Sequence, residues 1–243
     1  MIVTPLKTPL FREKQSLNDF LVQQLPKLHE KSVVVMTSKI VALAEGRVAP
    51  CPNEKAFVNI VKAESQWAIK TKYAWLTIKD GMVLASAGVD RSNANGKCIL
   101  LPRDSYTSAA TIRTFLMARL NLKTLGVLIT DSRLTPLREG ITGIALGYAG
   151  FKGIRDYRGT PDLFGRPLTM TRTNIADTLA TAAVLTMGEG RERQPLAVIT
   201  DAPIVFTNRL NRHELLIDPA EDIYRPFFTQ RQKSTAPKTT PKA

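Results

Sequence analysis

Val127-Leu128-Ile129-Thr130-Asp131-Ser132 runs apolar, turns polar, and ends on an acid beside a hydroxyl. With Leu125 at its start, the segment reads as a strand from Leu125 to Thr130. Val33-Val34-Val35-Met36 is a second run of this kind, and Ser38-Lys39 follows it directly. Buried strands alternating with helical segments give an α/β or α+β fold on a mixed sheet. At least one hairpin is expected, so a purely parallel sheet does not fit.

Working outward, an amphipathic helix is expected from about Ser16 to Leu28, with Leu17, Phe20, Leu21 and Leu25 on one face. Asn53 can cap a helix ending near Lys70. Tyr73 to Ile78 and Met82 to Ala87 flank Asp80-Gly81, a strong hairpin signal. Ser105 starts a helix with Ile112, Phe115, Leu116 and Leu120 at helical spacing and Asn121 as its stop. Asn174 and Asp177 form a variant capping box for a helix ending at Gly188. Leu196 to Thr200 is the last clear strand. Glycines are dense between Ser132 and Arg172, which favours tight turns and close backbone approach over packed helices.

Apolar residues at 44% and charged residues at 23% suit a globular chain, and 243 residues suffice for a sizeable core. No apolar run nears the roughly 18 residues that span a bilayer. The start, Met1-Ile-Val-Thr-Pro5, lacks signal-peptide regions, so a cytoplasmic protein is expected. Cys51, Cys98, His29 and His213 have no zinc-ligand spacing. The two cysteines are expected to be reduced and inert, and a Cys98–His213 nucleophilic pair has no local signature. The net charge is +13, of which Arg225, Arg231, Lys233, Lys238 and Lys242 supply +5 after the last acid, Asp222. Residues 230–243 read as a disordered basic tail. The remaining excess suits polyanionic small molecules or nucleic acid.

Three acid-bearing segments follow apolar runs: Asp90-Arg91-Ser92-Asn93, Asp131-Ser132 and Met187-Gly188-Glu189-Gly190. Side chains just beyond strand ends in α/β proteins converge on ligands. Two carboxylates about 4 Å apart repel by roughly 4 kcal/mol at an effective dielectric near 20, so a converging cluster calls for a cation or a shared proton. Hard divalent ions take carboxylate and phosphate oxygens. The plain alternative for Asp90 and Asn93 is a turn capping its own backbone, and for Glu189 a helix C-cap. Lys39 either neutralises a phosphate or is simply solvated; Arg138 and Arg166 either clamp carboxylates or pair with local acids. Neither a Walker A nor a Gly-x-Gly-x-x-Gly pattern is present, so a bound nucleotide needs another cradle.

These residues resemble the coenzyme F-420-0:L-glutamate ligase family, and within it the bacterial branch named for folate-metabolism γ-glutamate ligases. The resemblance runs from about Met1 to Thr207. It is carried by Ala87-Gly-Val-Asp-Arg-Ser-Asn93, Ile129-Thr-Asp-Ser132 with Thr135-Pro-Leu-Arg138, Gly143-Ile-Ala-Leu146, Asp162-Leu-Phe-Gly-Arg-Pro-Leu168, Ala176-Asp177 and Met187-Gly-Glu-Gly190.

The resemblance implies an intertwined homodimer, with residues 1–207 as a γ-glutamyl ligase domain, either one unit or two intertwined subdomains, and 208–229 as a C-terminal extension. It implies that Asp90 and Asp131 bind a first Mg2+ or Mn2+ and Ser132 with Glu189 a second, with K+ as a further candidate ion. Asn93, Ser38, Lys39, the segment Thr8-Pro9-Leu10-Phe11 and the loop from Met187, Gly188, Glu189 and Gly190 to about Gln194 would contact GTP or ATP. Asp90, Asp131 and Arg138 are the candidate catalytic residues. The implied reaction adds L-glutamate to a carboxylate through an acyl phosphate. Two departures bear on the acceptor and the nucleotide. Leu43 stands where the family has a lysine near the nucleotide, which leaves ATP open beside GTP. Arg133-Leu134-Thr135-Pro136 and Ile199-Thr200-Asp201-Ala202-Pro203 replace Gly-Arg and Arg-Gly features of the F-420 members, so tetrahydrofolate is the expected acceptor and the deazaflavin precursor the alternative. A basic nucleic-acid-binding protein is the alternative of another class; it explains the charge but finds no base-stacking cluster or reading motif.

Overall fold

A computed structural model describes residues 1–92, 94 and 96–226. The expected tail, 230–243, lies outside the described residues, as does Asn93. Chain order gives β1 (Ile2–Leu6), α1 (Leu17–Gln24), β2 (Ser32–Thr37), α2 (Ser38–Ala44), β3 (Val48–Pro50), α3 (Glu54–Glu64), β4 (Trp67–Lys70), β5 (Trp75–Lys79) and β6 (Met82–Ala85). It continues with β7 (Lys97–Ile99), α4 (Ser105–Leu120), β8 (Leu125–Leu134), β9 (Ile141–Ala149), β10 (Ile154–Asp156), β11 (Arg172–Asn174), α5 (Ile175–Met187) and β12 (Leu196–Thr200).

The main sheet has the order β1-β12-β2-β8-β9. Only β2 and β8 pair in parallel; the other neighbours are antiparallel, so the sheet is mixed as expected. Its two faces are covered by different helices. Val34, Met36, Val127, Ile129 and Val198 pack on α1, α2 and α4, through residues such as Phe20, Leu21, Ile40 and Leu116. The alternate residues Val33, Val35, Leu128, Ala197 and Ile199 pack on α5, through Leu179, Ala180, Ala183 and Met187. Side chains alternate across a strand, so two apolar faces require the continuous apolar runs seen in the sequence.

Between α2 and α4 the chain makes a second, smaller layer. β4, β5 and β6 form a three-stranded sheet, β3 and β7 a two-stranded neck. Phe57 and Val61 of α3 pack there against Ala87, Val89, Cys98 and Leu100. After β12 the chain turns back across the main domain. Phe206 bridges to Phe151, Thr207 N–H donates to Gly150 O at 3.0 Å, and Arg212 pairs with Asp104 at 2.6 Å. Glu214 accepts from Tyr148 Oη at 2.5 Å and from Gly153 N–H at 2.6 Å.

Local signals placed most elements correctly. Ser16, Asn53, Asp104 and Asn174 cap α1, α3, α4 and α5 by accepting an N–H three residues on. Asn121 closes α4 in the left-handed region at φ 52°. Four expectations are corrected. The first helix stops at Gln24 rather than Leu28, because Pro26 cannot continue it. α3 stops at Glu64, and Trp67–Lys70 is a strand paired with β5 instead of more helix. β8 runs on to Leu134, so Asp131 and Ser132 sit inside a strand rather than at its end. Cys51 and Cys98 are joined as a disulfide, not reduced: the neck pairs Ala49 with Cys98 and brings the two Cα atoms to 5.5 Å, within bridging range.

Candidate functional site

The candidate residues meet where β2 and β8 end their parallel pairing, at Thr37 and Thr130. Ligands of open α/β sheets lie beyond the carboxyl ends of such strands. β2 passes directly into α2, which puts Ser38 and Lys39 at this edge. β8 continues past its neighbour and carries Asp131 and Ser132 along the same edge.

Asp90 comes from the smaller layer. A one-turn 3-10 helix, Ser86–Gly88, bends the chain after β6 with φ of 50°, 55° and 69° at Ser86, Ala87 and Gly88. A Cβ on Gly88 would lie 2.7 Å from the Leu101 side chain, so the bend needs glycine there. Ala87 N–H donates to buried Thr77 Oγ1 at 2.8 Å. Asp90 then exchanges two backbone hydrogen bonds with Ile99, at 2.9 and 2.8 Å, which fixes its position.

The side chains interlock. Lys39 Nζ pairs with Asp90 Oδ2 at 2.6 Å and donates to Ser92 Oγ at 3.2 Å. Ser92 donates to Asp90 through its N–H and its hydroxyl, at 2.6 and 2.8 Å. The local turn that is the plain alternative for Asp90 is thus present as well as the convergence. Asp131 accepts from Ser38 Oγ at 3.1 Å and from Ser132 N–H at 2.8 Å.

Electrostatics tie the three acids together. Burial pushes the Asp131 carboxyl up to about 6, and the negative charges of Asp90 and Glu189 add to that rise, against the Ser132 and Ser38 donors. Glu189 is also raised, first by burial and then by Asp90 and Glu192, with Lys39 and the Ser132 hydroxyl favouring its anion. For Asp90, burial works upward, but Lys39 and Ser92 outweigh it and hold the carboxyl below its ordinary value. Three acids that feel one another, faced by hydroxyls and the Lys39 ammonium, form a donor set suited to hard cations. Among the described residues, no three His, Cys, Asp or Glu side chains stand close enough to hold one ion. The donors fit as pairs, with Ser132 beside both Asp131 and Glu189.

Other candidates are placed less uniformly. The segment Thr8 to Phe11 lies beside the loop after α5, since Thr8 N–H donates to Arg193 O at 2.9 Å. Phe11 turns inward to meet Phe20 edge-on at 4.9 Å, while Leu10 is exposed. Met187 is a core side chain. Gly188 closes α5 at φ 79°, and Glu192 folds back over it to accept from Gly190 N–H at 2.8 Å. Arg138 and Arg166 are exposed on loops. Arg138 N–H donates to Thr135 O at 3.2 Å, and Arg166 N–H to Asp162 Oδ1 at 2.9 Å. Sequence reasoning did not single out Ser92 or Glu192; both stand inside or beside quoted motifs, but their roles depend on turns that bring them back onto a neighbour. A cavity of about 750 Å³ opens at the opposite end of the sheet, lined by His29, Thr124, Thr200 and Phe206. The length of β2 separates it from the acids by roughly 20 Å.

A sequence model of the family described as F420-0:Gamma-glutamyl ligase matches residues 5–201. A Methanococcus maripaludis protein named coenzyme F420:L-glutamate ligase is 34% identical over 216 residues, covering 82% of this chain and 86% of its own length. A Methanocaldococcus jannaschii protein of the same name is 31% identical over 242 residues, covering 92% and 96%. A Methanopyrus kandleri protein, again of that name, is 32% identical over 241 residues, covering 89% and 95%.

Proposed function

Because this chain belongs to the F420-0:Gamma-glutamyl ligase family, an amide-bond-forming ligase family, we propose that it joins L-glutamate to a carboxylate of an F420-type deazaflavin acceptor, using a nucleoside triphosphate. The relatives' names favour this deazaflavin alternative over the tetrahydrofolate acceptor expected from the sequence. The observation that carries the reading is the convergence of Asp90, Asp131, Ser132, Glu189 and Lys39 on one edge of the sheet.

A carboxylate at neutral pH is not an electrophile. The acceptor carboxylate attacks the γ-phosphorus and displaces the nucleoside diphosphate, giving an acyl phosphate; the glutamate amine then attacks its carbonyl carbon, and phosphate and a proton leave as the amide forms. Asp90 with Asp131, and Ser132 with Glu189, would hold two divalent ions, Mg2+ or Mn2+. When bound, these supply charge neutralisation for the phosphates. Lys39 holds Asp90 in place and offers a positive charge to a phosphate arriving at the same edge. Ser38 orients the Asp131 carboxylate. No covalent nucleophile on the protein is needed. A cytoplasmic setting, where nucleotides and free glutamate are supplied, suits the reaction; among the described residues no helix is long and apolar enough to cross a membrane.

The test is product analysis by mass with purified protein, Mg2+ or Mn2+, glutamate, and either ATP or GTP. A gain in mass by whole glutamyl units on the deazaflavin acceptor is expected. Glutamate added to tetrahydrofolate and not to the deazaflavin would overturn the acceptor, and no amide product with either would overturn the reaction.

A homodimer belongs to the same reading. Leu134, Leu137 and Ile141 gather at the β8–β9 turn, where Leu134 pairs with Ile141, and all three are exposed. Leu163, Phe164 and Met170, between β10 and β11, are exposed as well. Exposed apolar patches of this kind mark association surfaces. Light scattering coupled to size exclusion should give twice the chain mass; a monomer at tens of micromolar would count against the dimer.

A further inference from the structure

The strand pairing that carries Asp131 and Ser132 is broken just before them. Ile129 faces Gly147, but Thr130 faces Ala145, so Leu146 has no partner on β8. This β-bulge changes which way later side chains point: Ala145 packs on the α5 face and Ala149 on the opposite face, although an unbroken strand would put them on the same side. The peptide between Ile144 and Ala145 lies across from Asp131, and side chains hold both of its ends. Thr130 Oγ1 donates to Ile144 O at 3.0 Å. Asp177 Oδ1 accepts from Ala145 N–H at 2.9 Å. The other oxygen, Oδ2, pairs with Arg133, next to Ser132, at 3.2 Å and accepts from Asn174 Nδ2 at 3.0 Å.

The geometry points to Asp177 as a positioning residue for the cation site: by fixing the 144–145 peptide and Arg133, it sets the direction in which Asp131 and Ser132 leave β8. The inference rests on the proposed role of those two residues as ion ligands. Bulges re-aim side chains near functional sites, and partners behind metal ligands typically change affinity 10- to 100-fold. Asp177 would otherwise serve only to stabilise the first turn of α5, where its own N–H donates to Asn174 at 3.0 Å.

Mn2+ binding measured by the electron paramagnetic resonance of the free ion, alongside thermal melting, separates these roles. Asp177→Ala keeps the backbone N–H that Asn174 caps but loses the Ala145 and Arg133 contacts; it should bind Mn2+ about tenfold or more weakly. Asn174→Ala loses the cap and its hydrogen bond to Asp177 Oδ2 but leaves the Ala145 and Arg133 contacts of Asp177 in place; it should melt lower while binding Mn2+ within about twofold of the wild type. If Asp177→Ala binds Mn2+ normally, or if Asn174→Ala weakens binding equally, the positioning role is overturned. Should Asp177→Ala fail to fold, Thr130→Val decides, because it removes the other hydrogen bond to the same peptide: weaker Mn2+ binding supports the role and unchanged binding overturns it. Wild-type protein that shows no saturable Mn2+ binding would instead remove the cation site itself.

Discussion

Asp131→Asn should lose at least about a thousandfold in turnover, about 4 kcal/mol of transition-state stabilisation, while keeping the fold. The variant is close in shape, and its side-chain oxygen can still accept from Ser132 N–H. Its amide can donate to Ser38, whose hydroxyl both donates and accepts. What disappears is the charge. In the wild type that charge sits among other acids, with its pKa pushed up to about 6 mainly by burial. A carboxyl whose folded value lies above the unfolded value of about 3.9 stabilises the fold below about pH 4, and that contribution is lost as pH rises through about 6. Metal-free wild-type protein should therefore melt progressively lower between about pH 4 and pH 6.5, and Asp131→Asn should flatten that part of the curve. Wild-type turnover in a metal-replete assay would sink the catalytic assignment, and an unchanged pH profile of melting would sink the electrostatic one.

The parts of this molecule that can be read from the sequence are those whose causes are local. Asn174 and Asp177 mark the start of α5 because capping happens within four residues. Asp80-Gly81 marks a hairpin because both residues take positive φ, 51° and 75°. The three acids stand out because each follows an apolar run. Residues whose positions depend on distant partners cannot be read this way. Nothing near Leu146 announces a bulge, which exists only relative to the register of β8. The sequence near Lys70 fits a helix or a strand, and pairing with β5 decides. Thr8 meets Arg193 from the far end of the chain for the same reason, the antiparallel pairing of β1 with β12.

Gly143→Ala should be among the most destabilising single-methyl additions in the chain. A Cβ there would lie 2.3 Å from Ala180 O, 2.4 Å from Ala180 C and 2.6 Å from Thr181 N. All three are backbone atoms of α5, so no side chain can swing aside, and the helix must lift off β9. Overpacking of this kind costs about 1–3 kcal/mol, and at about 2–4 °C per kcal/mol for a chain of this size the melting point should fall by roughly 5–10 °C. Gly140→Ala is the comparison: no atom lies within 4 Å, and only its φ of +87° opposes the substitution. The effect at Gly143 should also reach the ions. Gly143 faces Ser132 across the ladder, and α5 ends at Gly188, beside Glu189. Lifting the helix moves Glu189 away from Ser132, so Gly143→Ala should lose Mn2+ affinity well below its melting point, whereas Gly140→Ala should not. A Gly143→Ala protein that melts like the wild type would mean that α5 does not rest on this strand, and the shared edge of Ser132 and Glu189 would go with it.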